Sequence, residues 1–328
     1  MNPAAELAAA LAAAPGLAHK RDIAAVAAAL GLGFSSDIPV GDDCAAIPDA
    51  DGYLLLAGEG FVGGFVTRDP WFAGYCGVMV NLSDIAAMGG RASAVINLLW
   101  ADGAEQAAPL LAGLKAGAEA YGAPLVGGHC NLRSPGAQFG AAVLGRAKRL
   151  ITSFDARPGD DLIFAVDLRG RYREPDAYWD ASTGSPSERL RGDLAILPGL
   201  AEDGLVRAGK DISMAGFVGT ALMLLECSGV GAVLEPEAIP RPPGADLARW
   251  LQAFPSFGFV LSVAPGHSAA VLERFAARGL AATIAGRVTP RRQVRLRFER
   301  EEALFWDLDA SPLTGCGPIP SLKEAVLA

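Results

Sequence analysis

Apolar positions recur at helical spacing over 72–88 and 105–121, and glycines stop both runs at Gly89-Gly90 and Gly122, which predicts two helices. A shorter helix fits 21–30, ended by Gly31 and Gly33. Short apolar runs at 53–57, 94–100 and 139–145 predict strands, and Leu125-Val126 leads into Gly127-Gly128. Arg157-Pro158-Gly159-Asp160 is a turn signal, so a domain break falls near 151–159. Beyond it, strands fit 162–166, 230–234, 257–263 and 283–288, and helices fit 187–207, 214–227 and 268–278. The polar stretch 169–191 carries Tyr172, Tyr178 and Trp179 and reads either as a functional loop or lid over an acceptor, or as an irregular linker. The tail past Phe298 shows little pattern.

The resulting expectation is a mixed α/β chain with an N-terminal helix (1–20), two α/β domains (21–150 and 151–298) and a tail (299–328). The chain's 328 residues suit two domains, each able to bury a core. Hydrophobic residues make up 51% and charged residues 20%, a globular balance. A formal net charge of −8 argues against a nucleic-acid partner and, for a nucleotide ligand, calls for a bridging cation. Five scattered cysteines without a CxxC suggest neither a disulfide framework nor a zinc site, and fit a reducing cytoplasm. Glu6 interrupts the Ala- and Leu-rich start, which reads as an amphipathic helix rather than a signal peptide, and no apolar run is long enough to span a membrane.

Four segments carry candidate chemistry. Gly41-Asp42-Asp43 places two carboxylates side by side, as a hard cation requires if a turn faces both inward; a solvated turn is the plainer alternative. Asp84 lies in the otherwise apolar run 81–90, with Gly77, Asn81 and Met88 on the same helical stripe. A carboxylate held near a core needs a cation or several donors, and a structural pairing with Asn81 would also serve. Gly127-Gly128-His129-Cys130-Asn131 follows an apolar strand, so the backbone there approaches a ligand or simply turns. Asp211, in Lys210-Asp211-Ile212-Ser213, either caps the following helix or faces a ligand. Gly58-Glu59-Gly60-Phe61-Val62-Gly63 matches GxGxxG, but Gly64 and Pro70 follow too closely for the long helix of a dinucleotide fold, and the chain has no Walker loop.

In order and spacing these segments resemble the superfamily of aminoimidazole ribonucleotide synthetase, thiamine-monophosphate kinase and selenophosphate synthetase, over about residues 20–298. The kinase's NLSDIAAMG segment is matched residue for residue at 81–89, its GDD-A at 41–45 and its DIS at 211–213. The resemblance implies an AIR synthase-like fold. In it a dimerising N-terminal α/β domain and a C-terminal α/β domain enclose ATP, and acidic residues hold Mg²⁺ on its phosphates. Carried over by position, Asp42, Asp43 and Asp84 become metal ligands, with Glu59 a further one. Asn81, Asp84, Gly127 and Gly128 bind the nucleotide, and His129, Asn131 and Asp211 line the reacting end.

The implied activity is Mg²⁺-dependent phosphorylation of an oxygen on a small-molecule acceptor by a cytoplasmic homodimer. The chain departs from the kinase at His129-Cys130, where selenophosphate synthetase also has Gly-Gly-His, and at Met214-Ala215, where an acid is lost. These departures keep open a second reading, a non-catalytic nucleotide- or metabolite-binding member of the superfamily.

Overall fold

The structure, a computed structural model, describes residues 2–33 and 35–318. The chain forms α1 (Pro3–Ala12), α2 (Pro15–Lys20), α3 (Asp22–Leu30), β1 (Ala45–Asp49), β2 (Gly52–Phe61), α4 (Gly63–Arg68), α5 (Pro70–Ala87), β3 (Arg91–Asp102), α6 (Gly103–Tyr121), β4 (Leu125–Asn131) and β5 (Arg133–Ala147). It continues through β6 (Asp161–Val166), β7 (Arg171–Tyr172), β8 (Tyr178–Asp180), α7 (Ser187–Leu194), α8 (Ile196–Glu202), β9 (Ala208–Asp211), α9 (Gly216–Ser228) and β10 (Gly231–Leu234). Then come α10 (Leu247–Leu251), β11 (Phe254–Pro255), β12 (Gly258–Val263), α11 (Pro265–Ala276), β13 (Ala281–Thr289), β14 (Gln293–Phe298) and β15 (Glu301–Asp307).

These elements gather into two compact units, neither of them a continuous stretch. The first comprises 43–150 with 182–202, and its sheet has the order β1-β2-β5-β3-β4. β3 and β4 run parallel and the other neighbours antiparallel. Helix α5 lies across one face, against β2, β3 and β5. Its start is fixed by Pro70 in the first turn and by Asp69 Oδ1, which accepts the Phe72 N–H at 3.2 Å. Gly89, at φ 74°, ends it, and the Gly90 N–H returns to the Ile85 carbonyl at 2.9 Å. Helices α5 and α6 touch backbone to backbone: a Cβ on Gly74 would sit 1.9 Å from the Leu110 carbonyl oxygen, and one on Gly113 1.8 Å from that of Trp71. The opposite sheet face presents Leu56, Ile96, Leu98 and Leu144 to solvent.

The second unit takes the described residues up to Asp42, then 151–181 and those from Asp203 onward. Its seven-stranded sheet runs β15-β14-β10-β13-β6-β12-β9. Every residue of β6 and β12 is buried, as expected of central strands covered on both faces. Helix α9 packs on β9, β10 and β12, α11 on β6 and β13, and α1 on β14 and β15.

Several sequence expectations change here. The tail is not patternless, because β15 pairs antiparallel with β14; the tail's last ten residues, 319–328, lie outside the described residues. The start is two helices, not one, broken ahead of Pro15. The helix expected over 187–207 is also two, α7 and α8, since Pro198 has no N–H to meet the Leu194 carbonyl. The described residues up to Asp42 join the second unit and 182–202 the first, so the division at Ile151 is only one of four crossings.

The aromatic stretch is not a lid. Trp179 is buried, its indole N–H donates to the Asp167 carbonyl at 2.9 Å, and its ring meets those of Tyr172 and Trp250 edge-on at 5.2 Å each. β7 and β8 form a small sheet with β11, so these rings belong to the core instead of covering an acceptor.

Candidate metal and nucleotide site

In the first unit, Asp43 lies two residues ahead of β1, and Asp84 is in the last turn of α5. Each offers a carboxylate oxygen, and the two lie within 4.8 Å of one another. Asp84 is 6% exposed. Asn81, one helical turn before it, is fully buried; its Nδ2 donates to the Gly77 carbonyl at 2.9 Å, and its Oδ1 has no hydrogen-bond partner among the described residues. A buried amide oxygen without a donor costs about 1–3 kcal/mol, and a cation or a hydrated cation beside it removes that cost. Around Mg²⁺, with bonds of about 2.1 Å, ligand oxygens stand about 3 Å apart when adjacent and about 4.2 Å apart when opposite. Two carboxylate oxygens within 4.8 Å of one another, with the Asn81 amide one helical turn from Asp84, are donors of the hard oxygen type that Mg²⁺ takes.

Glu59 is half-buried on β2, opposite Ala141 of β5, which in turn faces Asn97 of β3, and Asn97 pairs with Gly128. Glu59 and Asn97 therefore share one row across the sheet, on the face that α5 covers, since Val95 and Leu99 alternate with exposed neighbours along β3. His129 pairs with Leu98 one position on, so its side chain lies with the exposed apolar face, on the far side of the sheet from α5. Its ring stands 5.4 Å from that of Trp100.

Gly127 and Gly128 do not turn. Both stay in β4 at φ 145° and 150°, and a Cβ on Gly128 would fall 2.0 Å from the Asn97 carbonyl oxygen. Asn131 ends β4, its Oδ1 accepting the Arg133 N–H at 2.9 Å. Within this chain, the structure brings Asp43 and Asp84 together with Asn81 close by, and sets His129 and Asn131 on an exposed edge strand.

Asp42 and Asp211 belong to the second unit. Asp42 Oδ1 accepts the Ser153 N–H at 2.7 Å, so the adjacent acids Asp42 and Asp43 have different surroundings. Asp211 is buried at the end of β9, which pairs with β12 through Phe259.

The sequence reading assigned no role to Lys210, whose buried ammonium donates to the Gly41 carbonyl and to Ser153 Oγ, both at 3.1 Å. Lys210 and Asp211 are adjacent charged residues in the fully buried strand Ala208–Asp211, a burial that nothing local in the sequence marks. Burial raises the thiol pKa of Cys227, well above the usual range, and that of Cys316, which leaves both protonated and poor nucleophiles. Cys130 is exposed on β4.

Comparison with known proteins places the chain by family and fold. Residues 41–147 match the family model for the AIR synthase related protein N-terminal domain, and 186–299 match that for its C-terminal domain. Uncharacterized protein sll0787 of Synechocystis sp. is 48% identical over 305 residues, covering 92% of this chain and 94% of that protein. The thiamine-monophosphate kinase of Synechococcus elongatus is 29% identical over 297 residues, covering 81% of this chain and 89% of the kinase. The structure of T. maritima PurL complexed with ATP superposes with a TM-score of 0.70 at 17% identity, over 85% of this chain. The chain spans about half the length of that PurL, 47% of it. With both domain models matched along one chain, this protein belongs to the AIR synthase related family.

Proposed function

We propose that this protein binds ATP through Mg²⁺ and transfers its terminal phosphoryl group to an oxygen of a small metabolite. The observation that carries the reading is the approach of Asp43 and Asp84 to within 4.8 Å, with buried Asn81, whose Oδ1 has no partner among the described residues, one helical turn before Asp84. Phosphoryl transfer needs alignment and charge neutralisation more than covalent help, and a Mg²⁺ ion would supply both on the phosphates. Asp43 and Asp84 would hold it, with Glu59 as a further ligand and Asn81 orienting the coordinated water or phosphate. Asp42 is proposed as a further metal ligand, a role that rests on its place beside Asp43 in the Gly-Asp-Asp segment. Asp211 is proposed at the transferring end, a role that rests on its place in the Asp-Ile-Ser segment. A relative named as a kinase and a fold neighbour complexed with ATP support the nucleotide.

The exposed apolar sheet face supports a homodimer in which Leu56, Ile96, Leu98, Leu144 and His129 meet their counterparts. Among the described residues no helix is long and apolar enough to cross a membrane, which accords with a cytoplasmic enzyme. The departure at His129 favours one second reading, binding without turnover. The two readings separate by experiment. ATP with Mg²⁺ should raise the melting temperature, since ligand at a hundred times its Kd adds about 2.7 kcal/mol, and a metabolite panel should release ADP. Asp84→Asn should keep the fold and abolish the Mg²⁺-dependent part of the shift. A full shift in that variant removes Asp84 from the site, and a wild-type shift without turnover on any acceptor favours the binding-only reading.

A further inference from the structure

The Gly41-Asp42 segment is pinned from beneath by groups that no catalytic reading has used. The Lys210 ammonium donates to the Gly41 carbonyl and to Ser153 Oγ, each at 3.1 Å. The Cys227 thiol donates to the same carbonyl at 3.5 Å. The Ser153 N–H holds Asp42 Oδ1 at 2.7 Å, and Ser228 Oγ donates to the Ser153 carbonyl at 2.7 Å while accepting the Ala156 N–H at 3.0 Å. Gly41 itself, at φ 134°, lies so close to this floor that a Cβ on it would fall 2.8 Å from both Cys227 Sγ and Cys316 Cβ. Two consecutive residues are thus fixed by three segments of one unit: the end of β9, the end of α9 and the stretch before β6.

We infer that Lys210 is a positioning residue for the acidic segment: its ammonium fixes the Gly41 carbonyl and the Ser153 side chain, and so fixes the backbone from which Asp43 projects. Lysine is rarely this deeply buried unless its charge is satisfied, and here two acceptors on different segments are joined by one cation. Asp43 is the next residue after Asp42, so the anchor sets the starting point of the carboxylate proposed to hold Mg²⁺. A carboxylate ordered beforehand binds a cation without the ordering cost of a loose loop. The ordering is a property of the fold alone; its bearing on cation affinity rests on the Mg²⁺·ATP reading above.

The test has two arms, on wild type, Lys210→Met and Ser153→Ala. Hydrogen exchange without ligand reads the anchor. Amides in peptides spanning 38–45 and 150–156 should exchange about tenfold faster in Lys210→Met, while those of β6 and β12 keep their protection. Unchanged exchange in the two peptides overturns the inference, and so does an equal loss of protection throughout β6 and β12, which would make Lys210 a general stabiliser. The second arm measures the Mg²⁺ midpoint of the ATP-induced thermal shift. It should rise about tenfold in Lys210→Met, with the shift at saturating Mg²⁺ preserved; an unmoved midpoint refutes positioning. Should Lys210→Met not fold, Ser153→Ala decides, since faster exchange at 38–45 supports the anchor and wild-type exchange there overturns it. If wild type gives no Mg²⁺-dependent shift, the Mg²⁺·ATP reading fails, and the exchange arm still judges the anchor.

Discussion

Glu226 offers the sharpest test of what holds the C-terminal segment in place. It is buried on α9, and its carboxylate receives four hydrogen bonds from one short stretch: Leu313 N–H at 2.8 Å and Gly315 N–H at 3.1 Å on Oε1, with Thr314 N–H at 2.8 Å and Thr314 Oγ at 2.6 Å on Oε2. Hydrogen bonds to a charged acceptor contribute about 1.5–3 kcal/mol each, so a simple sum for Glu226→Ala would reach about 6–12 kcal/mol. That sum cannot be realised, because the segment has a cheaper way out. It can leave the surface and let water satisfy its amides, and the loss is then the burial of Leu308 and Leu313, each 1% exposed. At about 1.5–3 kcal/mol per leucine, detachment caps the cost at about 3–6 kcal/mol.

We therefore expect Glu226→Ala to lower the stability of the second unit by about 3–5 kcal/mol. Glu226→Gln should lose about half as much, because the amide keeps one acceptor and turns an NH₂ toward donors. Urea unfolding followed by tryptophan fluorescence measures the loss, since Trp179, Trp250 and Trp306 all report on this unit. Hydrogen exchange over 308–318 shows whether the segment has detached. An alanine variant within 0.5 kcal/mol of wild type, about the scatter of a neutral surface change, would refute the account.

Two other outcomes follow from the same structure. Leu98→Lys places a charge at the centre of the exposed apolar sheet face, and should convert a dimer to a monomer in analytical ultracentrifugation while leaving the circular dichroism unchanged; a dimer that persists rules out this face. The Asp307 carboxyl pKa is lowered, first by the Ala310 N–H and further by Gln293 and the Asp309 N–H, so its contribution is full above about pH 4 and fades as pH falls through the depressed folded value. The stability difference between wild type and Asp307→Asn should accordingly shrink below about pH 4, and a flat difference in pH-dependent urea unfolding would contradict the assignment.

What could be read from the sequence was set by range. Helix α5 was legible because its stops are local: Pro70 opens it, Gly89 closes it, and the run between is apolar enough to be buried on every side. Asp84 stood out for the same reason, as an acid where apolar residues were expected. β15 was invisible because Glu-Glu-Ala-Leu-Phe-Trp-Asp does not alternate; its strand state comes from pairing with β14 and from α1 above it. The aromatics of 169–191 read as a functional loop or lid, or as a linker, because polar neighbours surround them, and only the arrival of Trp250, some seventy residues later in the chain, makes Tyr172 and Trp179 core. Gly127-Gly128 read as a close approach to a ligand or as a turn because glycine permits both, whereas here the missing side chain of Gly128 lets β4 lie against Asn97. Lys210 was passed over because its acceptors, at Gly41 and Ser153, are distant in sequence.

Helix α1 packs against β15, so a helix made early waits for a strand made about 290 residues later. At about 5–20 residues per second, the ribosome leaves Leu7 and Leu11 without their neighbours for about 15–60 s. Through that interval the nascent chain carries a sticky, unfinished surface, and a chaperone that shields the early helices would raise the yield of folded protein more than one that acts after release.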